Sequence, residues 1–129
     1  MTEQKQTNKQ VNKQNSVGNR AEKIAADYLQ QHGLKLLEAN YRCRFGEIDL
    51  IMRDNNTLAF VEVRLRTSAM FGGAAYSINS SKQKKLIITA EHYLQQHSAL
   101  AKLACRFDAI LMDKSSTSNL QWIQNAFDA

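Results

Sequence analysis

Residues 46–66 carry the feature that most limits what this chain can become. Two runs of alternating apolar and polar residues, 47–53 and 57–66, flank the turn-forming Asp54-Asn55-Asn56-Thr57. That pattern predicts a β-hairpin. Alternation places Glu47, Asp49 and Ile51 on one face of the first strand, and Ile48, Leu50 and Met52 on the other. On the second strand, Leu58, Phe60, Glu62, Arg64 and Arg66 share a face. A tight turn at Asn55-Asn56 then sets Asp54 opposite Thr57, Asp49 opposite Glu62 and Glu47 opposite Arg64. Opposed side chains in a sheet have Cβ atoms about 4.5–5.5 Å apart, and like charges there are destabilising. Something must compensate Asp49 and Glu62. A divalent cation is one answer, since Mg²⁺ and Mn²⁺ prefer carboxylate oxygens. A structural ion-pair cluster, with Arg64 or another base satisfying the acids, is the other.

The rest of the chain gives the hairpin its context. Residues 1–17, MTEQKQTNKQVNKQNSV, are rich in Gln, Asn and Lys, and read as a disordered, mildly basic tail. The folded domain is expected over 18–129. Ala21, Ile24, Ala25, Tyr28 and Leu29 recur at helical spacing before Gly33, predicting a helix over 19–32 with a glycine C-cap. Glu22 lies at the edge of that apolar stripe. It points either to the acidic hairpin or to solvent, where a first-turn acid favours the helix dipole. A strand follows over 34–41, broken near Asn40. Thr67 to Asn79, with Gly72 and Gly73, reads as a loop. A second helix is expected over 80–97, capped by Ser80 or Ser81. Strands over 105–112 and 120–125, separated by the turn at 114–118, complete an α-β-β-β-α-β-β order.

Charge and composition narrow the function classes. The 129 residues suit one domain with a hydrophobic core. No apolar run approaches the ~20 residues of a membrane span. The polar stretch after Met1 has no apolar h-region, so a cytoplasmic protein is expected. Cys43 and Cys105 are far apart and form no CxxC pair, which argues against a zinc site. A net charge of +5 favours an acidic partner such as nucleic acid. Lys82, Lys84 and Lys85 crowd the start of the second helix, where they oppose the dipole unless a phosphate binds. Arg42, Arg44, Arg64 and Arg66 extend the patch, which otherwise is a solvated run of charge. His32, His92 and His97 lack metal spacing and suit surface or helix-end positions. Asp108 interrupts an apolar strand and is expected to bond a neighbouring element. Trp122 is expected in the core or at its edge. Phe45 and Phe71 flank the acidic hairpin, as core residues or as platforms for a base.

Several strings together point to a family. Gly18-Asn-Arg-Ala-Glu22, Ala25-Ala-Asp-Tyr-Leu29, Asn40-Tyr-Arg-Cys-Arg44, Gly46-Glu-Ile-Asp-Leu-Ile51, Phe60-Val-Glu-Val-Arg64 and Ser81-Lys82-Gln83 resemble the YraN-like family of bacterial proteins. That family is similar to the PD-(D/E)XK nuclease superfamily, and to archaeal Holliday-junction resolvases in particular. The resemblance covers about residues 17–126. It implies an α/β, restriction-endonuclease-like fold with an αβββαβ core, a mixed central sheet and flanking helices. It also implies a metal-dependent endonuclease, or a nucleic-acid-binding protein, acting on structured or branched DNA. Asp49, Glu62 and Glu22 would hold Mg²⁺ or Mn²⁺, with Arg64 at the position usually held by lysine. Lys82, Lys84, Lys85, Arg66 and Arg44 would contact nucleic acid, and a homodimer follows by analogy with a two-fold junction. Arginine stays charged where lysine can release a proton. Arg64 therefore suits gripping a phosphate, or locking Glu47 or Glu62, and Arg66 or Lys82 could stand in for the lysine. The other class is a catalytically inactive nuclease-fold module that binds nucleic acid or a partner protein.

Overall fold

A computed structural model describes residues 16–67 and 78–128. The expected tail up to residue 15 and the stretch 68–77, with Phe71, Gly72 and Gly73, lie outside the described residues.

Helix α1 spans Ser16–Gln31 and so starts inside the expected tail. Its apolar stripe buries Ala21, Ala25, Ala26 and Leu29. Gly33 ends it with φ +92°. The Gly33 N–H donates to Gln30 O at 3.0 Å and the Leu34 N–H to Leu29 O at 3.1 Å. Both bonds define a Schellman cap, which the left-handed glycine permits at no steric cost. Leu29 and Leu34 are buried in the same cluster.

The strands are β1 (Lys35–Cys43), β2 (Gly46–Asp54), β3 (Thr57–Arg66), β4 (Ala104–Asp113) and β5 (Ser116–Phe127), and helix α2 spans Ser80–Gln96. They form one five-stranded sheet in the order β1-β2-β3-β4-β5. β3 and β4 are parallel, and the other neighbours are antiparallel. A parallel pair needs a crossover, and α2 lies in it. The fold is α/β, a mixed sheet with two helices, compatible with the restriction-endonuclease-like αβββαβ arrangement.

Each helix covers one apolar face. α1 packs on Leu50 and Met52 of β2, Ala59 and Val61 of β3, and Ile110 and Met112 of β4. Leu86, Ala90 and Tyr93 of α2 pack with Ile48, Ile51, Leu58 and Phe60. Alternation holds along β3, whereas β2 breaks it. Ile48 and Leu50 were expected on one face, yet they lie in opposite clusters. The fault falls at Asp49. Asn79, not Ser80 or Ser81, caps α2, because its Oδ1 accepts the Lys82 N–H at 2.9 Å. No helix among the described residues is long and apolar enough to cross a membrane.

Asp108 takes the structural role expected of it. It is only 1% exposed. It accepts Arg106 Nε at 3.1 and 3.0 Å, Trp122 Nε1 at 3.1 Å and the Asn125 N–H at 3.0 Å. Arg106 continues to Asp54 at 3.1 Å. The ladder between β4 and β5 shifts register between Phe107 and Ala109, and this carboxylate accepts the Asn125 N–H beside the shift. Trp122 also meets Tyr28 and His32 of α1 edge-on, at 6.3 and 5.8 Å between centroids. Removing one partner of a buried charge pair typically costs about 3–5 kcal/mol. Asp108→Ala is expected to lose stability on that scale in urea unfolding. A loss under about 1 kcal/mol would show that water readily replaces the carboxylate.

Candidate functional site

The hairpin register is the expected one from Asp54↔Thr57 to Leu50↔Val61, and there the pairing ends. Both strands run on, to Gly46 and to Arg66, but they splay. Asp49 and Glu62 are therefore not a ladder pair as expected. Asp49 Oδ2 instead accepts the Val63 N–H at 2.8 Å, so a side chain replaces the missing backbone acceptor. On the other side, Asn40 has φ +57°, and the neighbouring ladder pairs are Ala39↔Leu50 and Tyr41↔Ile48. The break expected near Asn40 is this left-handed residue, with the strand continuing beyond it to Cys43.

Glu22 reaches the same spot from α1. Asn40 and Asp49 lie close enough to act on its carboxyl. Its Oε1 is buried without a hydrogen-bond partner among the described residues. Burial, then the Asp49 charge, pushes the Glu22 carboxyl up to about 7. Burial also raises Asp49, against the lowering effect of the Val63 N–H, with Glu62 and Glu47 adding to the rise. The two carboxyls thus favour holding a proton between them.

Glu62 arrives from the α2 face and is 5% exposed. The Arg64 guanidinium pairs with it, and Lys82 Nζ, from the first turn of α2, stands 3.6 Å from its Oε1. Of the options for Arg64, the lock on Glu62 is the one adopted. Glu47 was expected opposite Arg64, but it lies across from Arg42 on β1. The two form an exposed ion pair at 3.3 Å, worth little in water. The splaying of β2 from β3 is the physical reason.

The remaining basic residues spread over several surfaces. Arg64 and Arg66 line a cleft of about 180 Å³ beside Glu22. Lys82 and Lys85 line a groove of about 360 Å³ with Gly46, Glu47, Asn79 and Ser81. Lys84 is exposed and Arg44 lies over the Phe45 ring. Phe45, expected as a core residue or as a platform for a base, is 39% exposed and so is not a core residue. His92, expected at the surface, is half-buried and bonded to the Tyr41 hydroxyl at 2.6 Å. Sequence reasoning missed that pair, and it also missed Asn40 as a neighbour of Glu22. A polar residue breaking a strand was the available signal for Asn40.

Asp49 and Glu22 offer paired hard oxygens, one of them an orphaned buried atom, which suits Mg²⁺ or Mn²⁺. Among the described residues, no three His, Cys, Asp or Glu side chains already converge as a metal cage. The third acid, Glu62, is held by cations of the protein itself.

Comparison with known proteins places the chain among relatives. A family profile described as "Uncharacterised protein family UPF0102" matches residues 21–112. The chain belongs to that family. A UPF0102 protein of Nitrosomonas europaea is 57% identical over 111 residues, covering 86% of this chain and 92% of the relative. One from Methylobacillus flagellatus is 53% identical over 113 residues, covering 88% and 97%. One from Psychromonas ingrahamii is 57% identical over 113 residues, covering 88% and 90%. The UPF0102 match spans every acid of the site, since Glu22, Asp49 and Glu62 all lie within 21–112. The expected membership of the YraN-like family is met.

A carboxyl raised in the folded state binds its proton more tightly there than in the unfolded chain. Its stabilising effect is full below the ordinary value of 4.5 and is lost as pH rises through about 7. Melting temperature should therefore fall between those limits, and Glu22→Gln should flatten the fall. An unchanged pH slope in the variant would show that Glu22 is not the group responsible.

Proposed function

We propose that this protein is a Mg²⁺- or Mn²⁺-dependent endonuclease acting on structured or branched DNA, in the manner of a junction resolvase. One observation carries the reading: Lys82 of α2 reaches Glu62 at 3.6 Å, beside the strand position where Arg64 stands in place of lysine. The missing amine is thus supplied from another element.

The residues divide the work by chemistry. Asp49, oriented by the Val63 N–H, and Glu22 supply the oxygens for a divalent cation. Such a cation, when bound, polarises a phosphate and lowers the pKa of its water. Glu62 sits between the Arg64 guanidinium and the Lys82 ammonium. Lys82 brings an ammonium that orients an attacking water and a phosphoryl oxygen. Arg64 holds Glu62 and stabilises charge on a phosphoryl oxygen. Lys84, Lys85, Arg44 and Arg66 contact the backbone phosphates, giving salt-dependent binding. Cleaving a two-fold junction symmetrically takes two copies of the chain, and the expected setting is the cytoplasm.

A second reading has its own observation. The Arg64–Glu62 ion pair satisfies an acid that a metal site would use. On this reading the protein is a nuclease-fold module that binds nucleic acid or a partner protein without turnover.

A cleavage panel separates the two. Linear duplex, flap, four-way junction, single-stranded DNA and RNA would each be incubated with Mn²⁺, Mg²⁺ or EDTA. The expected result is metal-dependent cutting of a branched DNA. Asp49→Asn should abolish it with circular dichroism unchanged, and Lys82→Ala should lower it at least tenfold. Millimolar Mn²⁺ should also raise the melting temperature of the wild type by mass action, and not that of Asp49→Asn. Binding without cutting on every substrate favours the second reading.

A further inference from the structure

Phe45 lies between Arg44 and Gly46 in the connection from β1 to β2. Among the described residues, the large apolar side chains left exposed are Leu36, Phe45 and Ile88, and Phe45 is the aromatic one. Exposing a phenyl ring costs hydrophobic free energy, and its surroundings keep it in place. The Arg44 guanidinium sits 4.9 Å from the ring centroid. The His92 ring meets it at 6.0 Å and 61°. His92 is itself fixed by the Tyr41 hydroxyl, and Tyr41 packs edge-on against the buried Tyr93 at 5.1 Å. The ring is thus backed by an aromatic series rooted in the core.

Gly46 ties this platform to α2. Its φ is +154°, and a Cβ there would come within 3.1 Å of Thr89 Oγ1. That approach sets the turn close against the helix, and Gly46, the residue after Phe45, lines the same groove as Lys82 and Lys85. Asp49 is four residues further on, about 13 Å along an extended strand. A planar aromatic surface, a guanidinium and a lysine-lined groove therefore stand within a few nucleotides' reach of the acids. A fully paired duplex hides its base faces in the stack. An unpaired base offers one, and stacking on an aromatic side chain tolerates any sequence.

We propose that Phe45 is a stacking platform for an unpaired DNA base, with Lys85 taking an adjoining phosphate, so that the protein selects the point where a duplex opens into single strand. This rests on the nucleic-acid reading above and adds the feature of the substrate that is recognised.

Binding in EDTA tests it without turnover. Fluorescence anisotropy would compare a forked DNA with a fully paired duplex of equal length, using wild type, Phe45→Ala, Phe45→Trp and Lys85→Ala. Wild type should prefer the fork. Phe45→Ala should lose roughly tenfold on the fork and nothing on the duplex, while Phe45→Trp retains the preference. Lys85→Ala should weaken both DNAs alike and reduce the salt dependence. An equal loss on fork and duplex, or no loss on the fork, overturns the platform but leaves DNA binding standing. Wild type that binds neither DNA overturns the nucleic-acid reading and the platform with it.

Discussion

The hydrogen bond from the Val63 N–H to Asp49 Oδ2 is the contact on which the arrangement depends. Where β2 and β3 part, the Val63 N–H loses its ladder acceptor in a half-buried position. An unsatisfied donor costs up to about 1–3 kcal/mol when fully buried, and here the Asp49 carboxylate takes the acceptor's place. The same substitution turns Asp49 out of the alternation of its strand. It then meets Glu22 of α1 instead of sharing a ladder rung with Glu62.

From that fault the site acquires two electrostatic halves. One half, towards α1, is carboxylate against carboxylate and favours an added positive charge. The other, towards α2, pairs Glu62 with Arg64 and Lys82 and is already compensated. Asp49 feels both, since the Glu62 charge contributes to its raised pKa. The sheet stays rigid around them because its two faces are packed by separate apolar clusters. Away from the site, the Asp108 network serves a purely architectural end, which shows that a buried acid in this fold is not by itself a sign of chemistry.

Much of this was legible in the residues. The element order, the turn at Asn55 and the register down to Leu50↔Val61 follow from alternation and turn chemistry. Glycine at position 33 announced the end of α1. What alternation cannot foresee is its own interruption, because a pattern of period two has no term for a side chain that replaces a backbone acceptor. Ile48 was therefore assigned the wrong face, and Glu47 the wrong partner. The cap of α2 went to Asn79 because helix start depends on where the preceding chain turns extended, which a row of adjacent cap-forming residues does not resolve. The convergence of Glu22 and Lys82 on the hairpin is tertiary. Sequence could nominate them, and only helix docking could bring them together.

That docking has a consequence for how the site behaves in time. Asp49, Asn40 and Glu62 belong to a contiguous antiparallel meander, whose contacts are local in the chain. Lys82 belongs to the crossover, held to the sheet by Leu86, Ala90 and Tyr93. Local opening of a helix from a sheet is cheaper than global unfolding. Opening the first turn of α2 would lift one cation from Glu62 while leaving the acids in place. The compensation of Glu62 is thus tied to the docking of α2, whereas the acids are tied to the meander.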